Sequence, residues 1–350
     1  MTPEVLALAV AIGETVEGRV LARGAFAGAR LAGGVFSRVD FTQADLRGAD
    51  LREVVFDQCS LSSAVLAGAN LRKCVFNRSA LEHVDLRRAN LHGAVFTECD
   101  LSHAQLAEAA MTMASVSGCK LDHATLRDVC LDSAVLSQSS LIDVCADGTR
   151  WEYAAVTECD LTHLTWHGAQ LLRTAFHKSA LLHKSFVDVE LLGCQFALTD
   201  LRGADFTGAR LPQCNFQGAT LEGARFTQAH APNAVFCEVV APAVDFAGAA
   251  LRQALFTGAQ CPGADFSGCD LHQAHFAGAR LAQARFVGAD LTYADFRHAD
   301  LRAVDMSRAT MARTVLHGAL TEHARMSERA RALETDADLA AAEQWQPAAL

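Results

Sequence analysis

Large apolar residues recur at every fifth position along most of the chain. In ADFSGCDLHQAHFAGARLAQARF, residues 264–286, they are Phe266, Leu271, Phe276, Leu281 and Phe286. A helix would bring them back every three or four residues. A strand would send every other one to the opposite face, because its side chains alternate. The spacing of five therefore indicates a repeating unit that is neither a long helix nor a long strand.

The same register continues without insertion or deletion from Leu21 to Leu316. Of its sixty positions, forty-nine are Leu or Phe, and all 19 Phe residues of the chain fall in it. From Leu171 to Leu301 Leu and Phe nearly alternate, which assigns Phe to two opposite sides of a square coil. Four sides of five residues close a coil in twenty, so Phe36, Phe56 and Phe76 should lie on one wall. The prediction is a solenoid, in which each turn contacts only its neighbours.

Both ends of a solenoid need covering, because an open coil exposes unpaired edges. Thr2, Pro3 and Glu4 form a helix-start signal and predict a helix over 3–12 that ends at Gly13. We expect it to lay apolar side chains over the first coil: Val5, Leu6, Leu8 and Ile12. Residues 326–345 predict one or two further helices, with Ser327 as N-cap. Leu333 and Leu339 would face the last coil or a second subunit.

The motifs ADLRGADL (44–51), ADFTGARL (204–211) and ADFRHADL (294–301) resemble the pentapeptide-repeat family, whose consensus is A(D/N)LXX. The resemblance implies an all-β solenoid, a right-handed quadrilateral β-helix of about fifteen coils. We therefore divide the chain into an N-terminal capping helix (1–18), the repeats (19–318) and a C-terminal helical tail (319–350). Family members often dimerise through the C-terminal end, so the resemblance also implies a homodimer through this tail.

Charge bears on one function of that family, the mimicry of DNA that binds gyrase or related topoisomerases. The chain carries a net charge of −10, but residues 19–318 hold 27 Lys and Arg against 31 Asp and Glu. A duplex carries one charge per ~1.7 Å, so the average charge of the repeats argues against mimicry. One acidic segment, 128–160, keeps it open, with a solvated face as the alternative. Its acidic residues are Asp128, Asp132, Asp143, Asp147, Glu152, Glu158 and Asp160, against Arg150 alone.

The acidic segment is also the least regular part of the repeats. Ala146 and Trp151 replace the usual Leu or Phe, as do Val156 and Trp166. Ala146 would lie one coil below Trp166, so that a small and a large side chain conserve volume. The alternative is a bulged loop that displays Trp151 and Tyr153 to a partner, since aromatic residues anchor interfaces.

A column of histidines is predicted on the outside of the coil. Its members are separated by twenty or forty residues, with Asp143 in the gap: His83, His103, His123, His163 and His183. Three interpretations remain open. The rings stack as a neutral ladder, they form a pH-sensitive or partner-binding stripe, or they bind a transition metal.

Eight of the twelve cysteines occupy the small inward position that Ala usually holds: Cys59, Cys74, Cys99, Cys119, Cys159, Cys194, Cys214 and Cys269. Cys is a small, readily buried hydrophobic residue, so we interpret them as structural thiols. Disulfides between stacked pairs such as Cys99 and Cys119, or a metal site, are the alternatives. Thiols without a disulfide framework favour a reducing cytoplasm.

The sequence contains no motif of a known catalytic or nucleotide-binding site. We expect no enzyme activity, cofactor, metal, direct nucleic-acid binding or membrane span. The leading hypothesis is a bacterial, cytoplasmic scaffold or adaptor that binds other proteins. The helix followed directly by repeats is similar to pentapeptide proteins that accompany type VI secretion clusters. The competing hypothesis is a DNA mimic that inhibits or protects gyrase.

Overall fold

The computed structural model describes residues 1–187 and 189–343. The chain folds as a parallel β-solenoid of about 16 turns with a short helix at each end, which confirms the predicted fold class. Contacts between residues divide it into two compact units. The first consists mainly of Met1–Ala180, and the second mainly of residues from Leu191 onwards. Each unit is described on its own below.

The regular elements are short because, on most sides of the coil, a single residue pairs with the neighbouring coil and tight turns flank it. One nine-residue helix opens the chain and one seven-residue helix closes the described part. The elements are α1 Pro3–Ala11, β1 Thr15–Glu17, β2 Val35–Ser37, β3 Val55–Asp57, β4 Val75–Asn77, β5 Val95–Thr97, β6 Ser115–Ser117, β7 Val135–Ser137, β8 Ala155–Thr157, β9 Gln170–Leu172, β10 Ala175–His177, β11 Glu190–Leu192, β12 Asp305–Met306, β13 Arg325–Met326, a 3₁₀ turn Arg329–Arg331, and α2 Ala337–Glu343.

The pairing register shows that one turn contains twenty residues. Strands β1 to β8 and β10 form one parallel sheet in which Phe36 lies beside Phe56 and Phe56 beside Phe76. Three further columns of single parallel bridges complete the circuit, exemplified by Asp40–Ser60, Asp45–Val65 and Asp50–Asn70. Four columns per twenty residues give four sides of five, as the sequence predicted.

Each corner is a tight turn that the repeat residues close themselves. In the turn 41–44, Ala44 N–H donates to Phe41 O at 2.9 Å, and Gln43 has φ +58°. Asp40 Oδ1 accepts the N–H of Thr42 at 2.8 Å and so fixes the start of the turn. An Asp or Asn immediately before the turn therefore has a structural task, which explains its place in the repeat.

The core of the second unit is a double column of phenylalanine rings. Phe216, Phe236 and Phe256 stack at centroid distances of 4.9 and 4.8 Å. Rings of the opposite side insert between them edge-on, as Phe226 does against Phe236 at 5.6 Å and 87°. Phe thus occupies two opposite walls, as predicted from the alternation with Leu.

The N-terminal helix forms as predicted but buries a different face. Thr2 is its N-cap and Pro3 its first residue, and the buried side chains are Leu6, Ala9 and Val10. The expectation that Val5, Leu8 and Ile12 cover the first coil was wrong, since all three are exposed. The helix was correctly placed, but a helix apolar on all sides gives no sequence signal for which face is buried.

The C-terminal segment also departs from its prediction. Ser327 is not a helix N-cap, because its hydroxyl accepts the N–H of Arg308 at 3.1 Å. Leu333 instead continues the solenoid: its N–H donates to Thr314 O at 2.7 Å, and its carbonyl accepts from Leu316 at 2.8 Å. Leu339 in α2 is partly exposed and lines the same surface hollow as Leu333. Trp345 and the rest of 344–350 lie outside the described residues.

Candidate protein-binding surface

The corners carry the outward side chains in columns, because residues twenty apart occupy the same corner in successive turns. At one corner His83, His103 and His123 follow one another, with φ between 56° and 60°. Their rings stack at centroid distances of 4.6 and 4.9 Å, with interplanar angles of 4° and 14°. The histidine ladder predicted from the sequence is therefore present in these three turns.

The ladder continues into an acidic side chain. Asp143 Oδ2 lies 3.7 Å from His123 Nδ1, and His163 is exposed at the same corner position. His183 belongs to the second unit, where its ring covers Gly203 so closely that a Cβ at that glycine would overlap it. In the part of the chain that the structure describes, no three potential ligand atoms of this column lie together. The geometry favours stacking over metal binding.

The acidic residues of 128–160 do not form one surface. Asp143, Asp128 and Glu158 occupy three different corners, since a turn falls at every fifth residue. The pairing of Ser140 with Asp160 places Asp160 on a side of the coil. Residues close in sequence are thus distributed around the circumference, so the carboxylates of the acidic segment 128–160 do not form a single patch.

Two of these carboxylates, Asp132 and Asp147, are also engaged by an ion pair or by hydrogen bonds. Arg150 Nε lies 2.8 Å from Asp132 Oδ2, and Glu152 donates its N–H to Asp132. Asp147 accepts the N–H of His167 at 2.8 Å. Partial burial acts to raise the pKa of Asp147, but hydrogen bonds to its carboxylate, from His167 first and also from Cys145 and Thr165, outweigh burial, and the pKa lies below its usual range.

Trp151 and Tyr153 have opposite environments. Trp151 is only 1% exposed, and its Nε1–H donates to Thr149 Oγ1 at 2.6 Å. The paired positions on either side, Arg150 and Ala155, keep the register. The bulged loop is therefore wrong for Trp151, and Ala146 is fully buried within the same unbroken coil. Tyr153 is exposed at a corner, where Arg173 lies over its ring at 5.2 Å.

The cysteines at the small inward position are all buried. Cys99 and Cys119 stack as thiols, with Cys99 N–H 3.4 Å from Cys119 Sγ, and not as a disulfide. Burial raises the pKa of Cys59 to about 11 and that of Cys269 to about 12. A thiol so far from ionisation is a poor nucleophile or metal ligand at neutral pH.

One cluster was missed by the sequence analysis because its members are far apart in the chain. His298 Nε2 and His317 Nε2 each lie 3.2 Å from the Glu343 carboxylate. Within residues 1–187 and 189–343 this is the one group whose three ligand atoms lie within 4.8 Å of each other. Nothing in the spacing of 19 and 26 residues signals it, since Glu343 lies beyond the repeats.

The hydrogen bonds of the cluster argue against a metal. Asp336 donates its backbone N–H to His317 Nδ1 at 3.1 Å, so Nδ1 must keep its lone pair. A neutral ring then carries its proton on Nε2, the atom that faces Glu343. A metal would require that Nε2 proton to leave and the ring to become an anion. The two histidines and Glu343 therefore form a structural contact that holds α2 against the last turns of the solenoid.

Models of known protein families match the part of the chain that contains the repeats. A model of the pentapeptide repeat region matches residues 49–126, and a model of eight pentapeptide repeats matches 25–58 and overlapping segments from 186 to 327. These matches cover more than half of the chain. The chain belongs to the pentapeptide-repeat family. No curated protein sequence matches it significantly.

Solved structures of pentapeptide-repeat proteins share low identity with this member of the family. HetL, involved in heterocyst differentiation regulation in the cyanobacterium Nostoc sp. strain PCC 7120, is 19% identical over 93% of this chain and 94% of its own, with a TM-score of 0.32. QnrB1, a plasmid-mediated fluoroquinolone resistance protein, is 19% identical over 57% and 87%, with a TM-score of 0.33. A protein of the Arabidopsis thaliana thylakoid lumen is 27% identical over 32% and 68%, with a TM-score of 0.19. None of the described helices is long and apolar enough to cross a bilayer.

Proposed function

We propose that this pentapeptide-repeat protein is a non-catalytic scaffold that binds a protein partner along the histidine corner of its first unit. The supporting observation is the exposed stack His83–His103–His123, which ends at the carboxylate of Asp143. Such a column offers aromatic faces and ring nitrogens at a fixed spacing close to the distance between β-strands. An extended segment of a partner could contact several turns at once.

The electrostatics of the described residues support a binding function over a catalytic one. Among the described residues, every carboxyl group whose pKa is displaced has a lowered pKa, as Asp85 does because Arg87 hydrogen bonds to its carboxylate. General acids and bases need pKa values near the working pH, which usually means a raised value for a carboxyl group. Carboxylates engaged by arginines hold corners together and are poorly suited to proton transfer.

Site-specific photocrosslinking tests the proposed surface. A benzophenone amino acid at position 103 in the native host should give a discrete crosslinked protein. The same residue at Gln138, an exposed corner of a neighbouring side, is the matched control and should not. His83→Ala with His123→Ala should abolish the crosslink while circular dichroism stays unchanged. Equal yields from both positions, or no adduct from 103, would contradict the proposed surface.

The secretion-adaptor form of the hypothesis rests on layout, a helix leading directly into repeats. Under it, the crosslinked partner should be a component encoded with a type VI secretion cluster, identified by mass spectrometry. A partner unrelated to secretion leaves the scaffold function intact and refutes this narrower version.

The gyrase alternative can be separated by a supercoiling assay. The repeats lack the charge of a duplex, and outward carboxylates such as Asp200 and Asp300 are paired with arginines two residues later. We therefore expect no inhibition or protection of purified gyrase at stoichiometric protein. An effect at that ratio would support mimicry and contradict the scaffold proposal.

A further inference from the structure

The last turns of the second unit carry an open hollow with apolar walls. Its volume is about 660 Å³, and its apolar lining comes from Val315, Ala332, Leu333 and Leu339. Leu333 is 51% exposed and Leu339 is 43% exposed, so two large apolar side chains of this wall remain in contact with water. Apolar surface of this kind marks a binding site, because its removal from water is favourable.

The ions around the hollow already have partners. Arg297 holds the carboxylate of Asp295, with Nη2 2.7 Å from Oδ2, and Arg329 holds that of Glu334, with Nε 2.7 Å from Oε1. Asp336 Oδ1 accepts a backbone N–H of α2 at 3.0 Å. Because these charges are engaged, the hollow favours an apolar occupant that brings no charge of its own.

The point at which the chain leaves α2 is fixed beside this hollow. Asp336, just before the helix, donates its N–H to His317 Nδ1 at 3.1 Å. Glu343, the last residue of the helix, lies 3.2 Å from Nε2 of the same ring. His317 lines the hollow and is only 3% exposed, so the ring is held in place. Whatever follows Glu343 in the chain therefore begins close to the hollow.

Seven residues follow Glu343, with the sequence QWQPAAL, and none of their side chains is charged. These residues lie outside the part of the chain that the structure describes. Trp345 is the second of them, and two residues span at most ~7 Å. An indole is among the largest apolar groups that a protein can bury. A tether this short gives the attached group an effective concentration on the order of millimolar, well above that of a second copy at micromolar protein.

We propose that Trp345 docks in this hollow of its own chain, between Leu333 and Leu339, so that residues 344–350 cover the end of the solenoid. The last turn of a solenoid needs such a cover, because exposed apolar surface and open edges there invite association with other chains. The same segment of a second copy is the competing occupant, and protein concentration separates the two.

Fluorine NMR of the full chain, with 5-fluorotryptophan at its three tryptophans, tests the proposal. The Trp345→Phe variant identifies the resonance of Trp345. A soluble gadolinium chelate broadens the resonances of side chains that water reaches. We expect the Trp345 resonance to be broadened several-fold less than that of a free peptide with the sequence of residues 341–350. Broadening equal to that of the peptide would overturn the proposal.

Variants of the hollow locate the docked indole. Leu339→Asp and Leu333→Asp each place a charge in the wall, one on α2 and one on the solenoid, and both should raise the broadening of Trp345 to that of the peptide. Leu320→Asp is the matched control, because Leu320 is 47% exposed and does not line the hollow. It should leave the Trp345 resonance unchanged, and circular dichroism should be the same for all three.

Two further outcomes would overturn the proposal. A Trp345 resonance that stays protected in both wall variants would mean that the indole is buried elsewhere. Protection that appears only as the protein is concentrated from micromolar to near-millimolar would assign the hollow to the C-terminal segment of a second copy.

Discussion

The phenylalanine columns make a quantitative prediction about the second unit. Phe236 and Phe296 occupy the same wall, three turns apart, and both are fully buried. Phe236 contacts four rings: it stacks on Phe216 and Phe256 and meets Phe226 and Phe246 edge-on at 5.6 and 5.3 Å. Phe296 contacts two, stacking at 4.8 Å and meeting one ring edge-on at 5.7 Å.

Replacement of each by Leu separates ring contacts from burial. The transfer of similar apolar surface is lost at both sites, so it cancels in the comparison. Each aromatic pair contributes ~0.5–1.5 kcal/mol beyond area burial, and Phe236 makes two more pairs than Phe296. Phe236→Leu should therefore lower the free energy of unfolding by ~1–3 kcal/mol more than Phe296→Leu does.

Guanidinium titration followed by circular dichroism is the assay. The comparison is valid where both variants keep the parent m-value, since a repeat protein can unfold in parts. Leu316 follows Phe296 in the same column, so Leu is already compatible with this wall. Equal losses at the two sites, or a larger loss at 296, would refute the argument that stacked rings stabilise the core beyond their burial.

Three further predictions concern two glycines, the buried tryptophans and an ion pair. Gly24→Ala should lower the free energy of unfolding by ~3 kcal/mol, because the added Cβ would overlap a buried ring. Gly268→Ala should lower it by only ~1 kcal/mol, because the new Cβ has open space and only the φ of +68° is unfavourable. Thermal unfolding of the two variants measures both losses. Trp151 and Trp166 are both buried. In a variant with Trp345 replaced by Phe, the tryptophan fluorescence should therefore resist quenching by iodide, and efficient quenching would instead support a bulged loop at Trp151. The hydrogen bond from Arg302 lowers the pKa of Asp300 in the folded protein. The ion pair therefore stabilises the folded state fully above the pKa of ~3.9 that Asp has in the unfolded chain, and this contribution is lost as the pH falls through the pKa of the folded state. Asp300→Asn should therefore lose less stability than the parent between about pH 5 and about pH 2.5, by up to ~1 kcal/mol, and identical acid profiles would contradict this.

Sequence predicted the fold well because burial of every fifth residue is a local signal repeated over the chain. Phe36 and Phe56 are twenty residues apart, and the same period sets their stacking at 5.4 Å. The histidine ladder followed from the same rule. These features need no knowledge of contacts between distant parts.

The errors arose where the outcome depends on contacts that no local pattern encodes. Ser327 looks like a helix cap, but the N–H of Arg308 uses its hydroxyl. Asp128 and Asp143 are near in sequence, but corners between them turn their side chains apart. The helix α1 was predicted, whereas the side chains that it buries, Leu6, Ala9 and Val10, could be found only once the coil beneath it was in place.

Each turn of the solenoid takes twenty residues, and successive turns stack at the spacing of β-strands. Thr207 and Ser307 occupy equivalent positions five turns apart in the second unit. Spin labels on non-canonical amino acids at these sites, measured by double electron–electron resonance, should report a narrow distance near ~24 Å, from a rise of ~4.8 Å per turn. A broad distribution, or a distance well beyond the ~35 Å that this rise and the label arms allow, would contradict the stacked solenoid.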